Sequence, residues 1–382
     1  MAKDIVILLD GTSNEISRKR SNVLRLYGCL TKSDAQVVWY DPGVGTLGDA
    51  NAWSRSRTKI KELWDMATGH GLDANVKEAY RFLCDTYEHG NGGEEADRIW
   101  ICGFSRGAYS ARVLAGFIHA FGLIDPVQFN LLDYAYRAFK GIGSGTGSHA
   151  FAEIRLHERA LQPRKVSIAG LGLMDTVASV IEPGRFWPRL SSHAFTANNP
   201  SVRAVRHAVA IDERRCMYRA RLWGREREYR KPFAAPGTGQ PQDVKEMWFA
   251  GVHGDIGGGY PEAESQLCKI PLLWLIEELQ ALGLGFTTAT VNAIVKGTKP
   301  DGKYVSPQPL APAHDSLTGA WWALEYFPSF TAPDTAPGKR FCGMCFPAGS
   351  PRVIPEDAQI HPSVEERWRG LDSYRPGNLK GW

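Results

Sequence analysis

The sequence predicts an α/β fold, a mostly parallel central sheet flanked by helices, and three observations carry that expectation. Short apolar, β-branched runs such as Ile5-Val6-Ile7-Leu8-Leu9 read as buried strands. Between them lie stretches whose apolar residues recur at helical spacing. The strands also end at turn residues, as in Asp10-Gly11-Thr12, so the chain opens strand, helix, strand, the habit of parallel-sheet proteins.

In chain order, Asn22 to Thr31 places Val23, Leu26, Tyr27 and Leu30 on one helical face. Val37-Val38-Trp39-Tyr40 is the second strand and runs into Asp41-Pro42-Gly43-Val44-Gly45-Thr46. Residues 74–89 form an amphipathic helix through Val76, Ala79, Tyr80, Leu83 and Tyr87. Arg98 to Cys102 is a strand, Gly103 to Gly107 the turn after it, and Ala108 to Ile124 an apolar helix packed in the core. Further strands are expected at 166–173 and 245–251, and a helix at Ile270 to Leu282 with Pro271 near its start. Residues 125–165 and 177–245 show no clear period and read as insertions forming a cap over the active-site face. The division expected is a catalytic domain at 1–295 and an extension at 296–382 packed on the core.

Composition narrows the function classes. With 382 residues, 43% hydrophobic and 23% charged, the chain reads as an ordinary globular protein with room for a large core. A net charge of +4 gives no reason to expect a nucleic-acid partner. No apolar window has the 18 or so residues of a membrane span, and Met1-Ala2-Lys3-Asp4 enters a strand without a secretory signal. A cytoplasmic location follows as the expectation, with export by a dedicated secretion machine compatible with it. Seven scattered cysteines read as free thiols, and Cys342-Gly-Met-Cys345 lacks the partners of a zinc site, so neither metal nor cofactor is expected.

The chemistry is concentrated in Gly103-Phe104-Ser105-Arg106-Gly107, a G-x-S-x-G pentapeptide between a strand and a helix. That setting is a nucleophile elbow. Small residues allow the sharp turn that exposes the serine, and the helix start turns its amides towards a developing oxyanion. The alternative is a serine that only caps the helix. A serine needs a base, and the base needs an orienting acid, in the order Ser, Asp, His for an α/β-hydrolase-like fold.

His253 follows the strand at 245–251 and precedes Gly254-Asp255-Ile256-Gly257-Gly258-Gly259-Tyr260, which suits a positioned general base; a turn histidine satisfied by backbone is the other reading. His119 belongs to the apolar helix and reads as a core residue. Asp175, at the end of the run 166–174, leads as the acid, with an N-cap role as its alternative and Asp212 and Asp255 as competitors. The oxyanion donors expected are the amides of Arg106 and Gly11, with the 43–46 loop as a second candidate. Asp10, Thr12 and Asp255 are expected to line the substrate side.

Asp10-Gly-Thr-x-Asn14, Asp41-Pro-Gly-Val-Gly-Thr46, Gly103-Phe-Ser-Arg-Gly-Ala108, Asp175-Thr-Val177, Arg206-His-Ala-Val-Ala-Ile-Asp-Glu-Arg-Arg215 and His253-Gly-Asp-Ile-Gly-Gly-Gly-Tyr260 occur in that order. Together they resemble the α/β-hydrolase family of type VI secretion lipase and phospholipase effectors, the Tle1-like catalytic domain. The resemblance implies a Ser105–Asp175–His253 triad and esterase or phospholipase activity on lipid acyl esters. The alternatives are a non-lipid carboxylesterase and, from another class, phosphoryl transfer through Asp10. Leu8-Leu9-Asp10-Gly11-Thr12 is similar to a haloacid-dehalogenase start, but Leu8 stands where its nucleophilic Asp belongs. The Arg-rich stretch 214–231 reads either as a solvated face or as a peripheral membrane contact; oligomeric state is not legible.

Overall fold

The structure, a computed structural model, describes residues 2–11, 19–43, 71–90, 96–143, 147–177, 181–182, 189–190, 193–224, 226–232, 237–299, 302–319, 321–326, 339–341 and 344–379. Its centre is a seven-stranded sheet: β1 (Asp4–Leu9), β2 (Gln36–Asp41), β3 (Arg98–Phe104), β4 (Ile168–Met174), β5 (Val202–Ala210), β6 (Asp243–Phe249) and β7 (Gln359–Ile360). The order across the sheet is β7-β6-β5-β4-β3-β1-β2, and every adjacent pair is parallel. The strand order reverses beside β1, so the carboxyl ends of β1 and β3 lie at the topological switch point, the usual ligand position in such sheets.

Side-chain alternation explains the two layers. Ile5, Ile7 and Leu9 of β1 face α2 (Leu72–Thr86) and α3 (Arg106–Phe121), while Val6 and Leu8 face the opposite layer. That second layer holds α1 (Asn22–Cys29) and, later in the chain, α7 (Lys269–Ala281). Ser21 caps α1, its Oγ accepting Leu24 N–H at 3.0 Å. This is an α/β-hydrolase-like fold.

Two stretches without a clear sequence period have definite structures. Residues 125–165 contain α4 (Leu132–Gly143) and α5 (Gly147–Leu161), which pack beside α3. There Phe117 meets Tyr136 and Phe139 at ring distances of 5.3 and 5.5 Å. The stretch 177–245, read as an insertion, contributes a central strand, β5. Its charges had hidden it: Arg206 bonds Asp243 and Glu278, and His207 bonds Glu246, so a buried strand tolerates them. The segment beyond 295 supplies edge strand β7 and α8 (Pro362–Gly370), and covers Val209, Ile211 and Trp248 with Val364 and Leu379.

Candidate active site

The turn after β3 carries Ser105 in a conformation that L residues seldom adopt, φ 59° and ψ −121°. Two glycines permit it. A Cβ on Gly103 would lie 2.5 Å from Gly107 O, and one on Gly107 would collide with the carbonyl oxygen of Leu9. The elbow is thus wedged against the end of β1, and Ser105 N–H donates to Met174 O at 3.0 Å across to β4.

Asp175 follows β4 and also has positive φ, 40°. Its backbone N–H donates to Ala208 O at 2.7 Å, which sends the side chain over the end of the sheet. His253 starts a short helix, α6 (His253–Gly257), just past β6. Its Nε2 lies 2.8 Å from Ser105 Oγ and its Nδ1 2.5 Å from Asp175 Oδ2. Three side chains from positions 105, 175 and 253 therefore form one hydrogen-bonded relay. The imidazole lies against Phe104 and the edge of Tyr218, at ring distances of 4.7 and 4.8 Å. Gly257 leaves room for Phe104, because a Cβ there would strike that ring.

Asp175 is fully buried. Burial alone would raise its pKa, but Arg352 and His253 outweigh it and hold the carboxyl well below the usual range. Arg352 Nη1 and Nη2 reach Oδ1 and Oδ2 at 2.6 and 2.9 Å, and Ala210 N–H adds a bond to Oδ1 at 3.0 Å. Glu213 holds the backbone of His253 in a comparable way. Its Oε2 accepts His253 N–H at 3.1 Å, and its carboxylate also accepts from Arg215 and from Ser316 Oγ. Burial opposes its ionisation, yet Arg215 leads in lowering its pKa to about 2. Behind Asp175, Thr176 N–H donates to His207 Nε2 at 3.2 Å, and His207 Nδ1 bonds Glu246 at 2.9 Å.

Sequence reasoning missed Arg352, Glu213, His207 and Glu246. Glu213 and His207 sit in the 206–215 motif, where their signal was available. Arg352, 177 positions from its partner, had none.

The other expected site residues have varied surroundings. Asp10 is buried and accepts from Gly11 N–H at 2.7 Å, Tyr40 OH at 2.9 Å and Ser21 Oγ. The Gly11 amide, expected to meet an oxyanion, is thus turned to Asp10. Arg106, whose amide was the other expected donor, opens α3 directly after Ser105. Asp255 is fully buried, accepting from Val252 N–H at 3.0 Å and bonded to His314 Nδ1 at 2.7 Å. Asp212 accepts Gly251 N–H at 2.6 Å and is not the residue on the imidazole. Thr12, residues 44–46 and Cys342 lie outside the described residues. Among the described residues no cluster of His, Cys, Asp or Glu is disposed to hold a metal, and no helix is long and apolar enough to cross a membrane. Of the Arg-rich stretch, Arg214 bonds Gly349 O and Arg230 bonds Glu228.

Residues 3–278 match the family described as type VI secretion system phospholipase effector Tle1-like, catalytic domain. The chain belongs to this family. The match includes Ser105, Asp175 and His253 and ends before Arg352. An uncharacterized protein of Saccharomyces cerevisiae is 33% identical over 226 residues, which is 56% of this chain and 31% of the relative. A crystal structure of an uncharacterized Pseudomonas aeruginosa protein aligns with TM-score 0.40 and 19% identity, over 80% of this chain and 48% of that one. The Tle1 effector solved bound to the VgrG spike of the type VI secretion system aligns with TM-score 0.35 and 18% identity, over 70% and 53% of the two chains. The chain spans about a third of the yeast relative and about half of each solved structure.

Proposed function

We propose that this chain is a serine hydrolase of carboxylic esters, acting on lipid or phospholipid acyl groups through an acyl-enzyme. The observation that carries the reading is the unbroken relay from Ser105 Oγ through His253 to Asp175, at 2.8 and 2.5 Å. In this mechanism His253 Nε2 takes the Ser105 proton as Oγ attacks the ester carbonyl. Asp175 stabilises the imidazolium and fixes its orientation, and His253 then returns the proton to the leaving alcohol. Water, deprotonated by the same imidazole, releases the acid. The Arg106 amide, next to the nucleophile at the start of α3, serves the oxyanion. Gly11 would join it only by exchanging its Asp10 bond for the substrate oxygen. The description of the family as phospholipase effectors supports lipid esters as the substrate class.

The test is turnover of short acyl esters and phospholipid vesicles by wild type and Ser105→Ala, with fluorophosphonate labelling mapped by mass spectrometry. The label belongs on Ser105, and the alanine variant should lose roughly 10⁶-fold in kcat while keeping its fold. Undiminished turnover in folded Ser105→Ala would sink the serine mechanism.

A further inference from the structure

Asp175 has a partner that an orienting acid does not require. A carboxylate behind a histidine can be held by neutral donors, and Ala210 N–H supplies one here. Arg352 adds a full cation, in a two-pronged grip on both oxygens. The guanidinium is itself fixed, donating to Ala210 O at 3.0 Å and to Tyr218 O. The chain around it is braced as well. Asn378 Nδ2 bonds Arg352 O at 3.1 Å and Ile211 O at 3.0 Å, and Arg214 Nε bonds Gly349 O at 2.7 Å. Gly349, Arg352 and Asn378 all lie beyond the family match at 3–278, and their other partners lie within it.

We propose that Arg352 is a positioning residue of the active site, by which the C-terminal segment grips both oxygens of Asp175 and places its charge beside the Asp175–His253 pair. The inference rests on the serine-hydrolase reading above. Two consequences follow from charge alone. Burial of Asp175 without a cation would favour its neutral form, which cannot stabilise the imidazolium. A cation beside the pair also disfavours any proton added to it, whether that proton sits on His253 or on Asp175. Removing Arg352 therefore raises the macroscopic pKa of the pair in either description.

Other charges face the pair and stay in place in the test. They are Glu213 with Arg215 behind the His253 backbone, His207 with Glu246 and Arg112 behind Thr176, Arg106 beside Ser105, and Asp255 of α6 with its partner His314. The phenol of Tyr218, edge-on to the imidazole, is neutral because burial raises its pKa.

The experiment is the pH profile of kcat/KM, and of the rate of Ser105 phosphonylation by a fluorophosphonate, for full-length wild type, Arg352→Met and Arg352→Lys. Arg352→Met should lose about 10- to 100-fold in kcat, with its acidic limb moved up by about one pH unit. Arg352→Lys keeps the charge but not the two-pronged grip, so it should fall at least 5-fold in kcat with the limb near that of wild type. Lower activity in Arg352→Met with an unmoved limb would reduce Arg352 to a structural tie and overturn the proposal. If the methionine variant fails to fold, lysine carries the test, and wild-type kcat there overturns it. Ser105→Ala separates the two readings. An inactive Ser105→Ala beside an unmoved Arg352→Met limb defeats only the clamp, whereas an active Ser105→Ala defeats the mechanism beneath it.

Discussion

Ser105 and His253 lie 2.8 Å apart, yet different forces hold them in place. Ser105 is set by covalent geometry and close packing: a strained φ, two glycines without side chains, and the carbonyl of Leu9 against the turn. His253 and Asp175 are set by charge across long sequence separations, through Arg352 on Asp175 and Glu213 on the His253 amide. Steric positioning has no tolerance and no pH dependence. Electrostatic positioning is adjustable, and it titrates. Substitutions at the glycines that wedge the serine turn should therefore appear as lost folding, and those at the charges around Asp175 and His253 as altered rates and shifted pH profiles.

The largest effect that can break this contrast is Gly107→Ala. The added Cβ meets the Leu9 backbone oxygen, which cannot move without shifting β1, so the cost should reach or exceed the roughly 1–3 kcal/mol typical of overpacking. Gly28, on the exposed side of α1, is the control. Its nearest neighbour would be Ile294 Cδ1 at 3.6 Å, so Gly28→Ala should stabilise by about 0.5–1 kcal/mol. Urea unfolding midpoints of the two variants should move in opposite directions. Equal midpoints would remove the steric account of the elbow.

Next in size, Glu213→Gln tests the electrostatic side. An amide can replace one carboxylate oxygen as acceptor but not both, so either His253 N–H or the Arg215 contacts lose their partner. A misplaced base should lower kcat by about 10- to 100-fold with little change in KM. The pH profile sharpens the comparison. Glu213 places a negative charge near His253, so its removal should move the acidic limb to lower pH, the reverse of Arg352→Met. Parallel shifts in the two variants would mean that neither acts through charge.

The same division governs what the sequence discloses. Ser105, Asp175 and His253 each stand at the end of an apolar run with a turn behind it, a local signature that survives without coordinates. The elbow was legible for the same reason, since its glycines are part of the motif. Arg352 was not, because an arginine in Ser350-Pro-Arg-Val353 looks like any other until the fold brings it to Asp175. Strand β5 was missed for a related cause. Arg203, Arg206 and His207 interrupt its apolar run, and the carboxylates that pair Arg206 and His207 lie on other elements, at Asp243, Glu278 and Glu246.

The smallest expected effect concerns stability in acid, through the brace behind Asp175. Glu246 is largely buried, which opposes ionisation, but His207, the Trp223 amide at 2.6 Å and Arg112 lower its pKa to about 2. His207 is neutral in the fold, because burial lowers its pKa and Nε2 must stay unprotonated to accept Thr176 N–H. Both groups bind protons more readily when unfolded. The glutamate stabilises the fold above its ordinary pKa of 4.5, and that stabilisation is lost as pH falls from there towards 2. The histidine adds a loss beginning below its ordinary 6.5. Thermal unfolding between pH 7 and 3 should therefore show Tm falling with pH. In Glu246→Gln the fall below pH 4.5 should be shallower, by a few degrees at about 2 °C per kcal/mol. A Glu246→Gln curve parallel to wild type throughout would show that the brace does not titrate, and charge would then act only at Asp175 and Glu213.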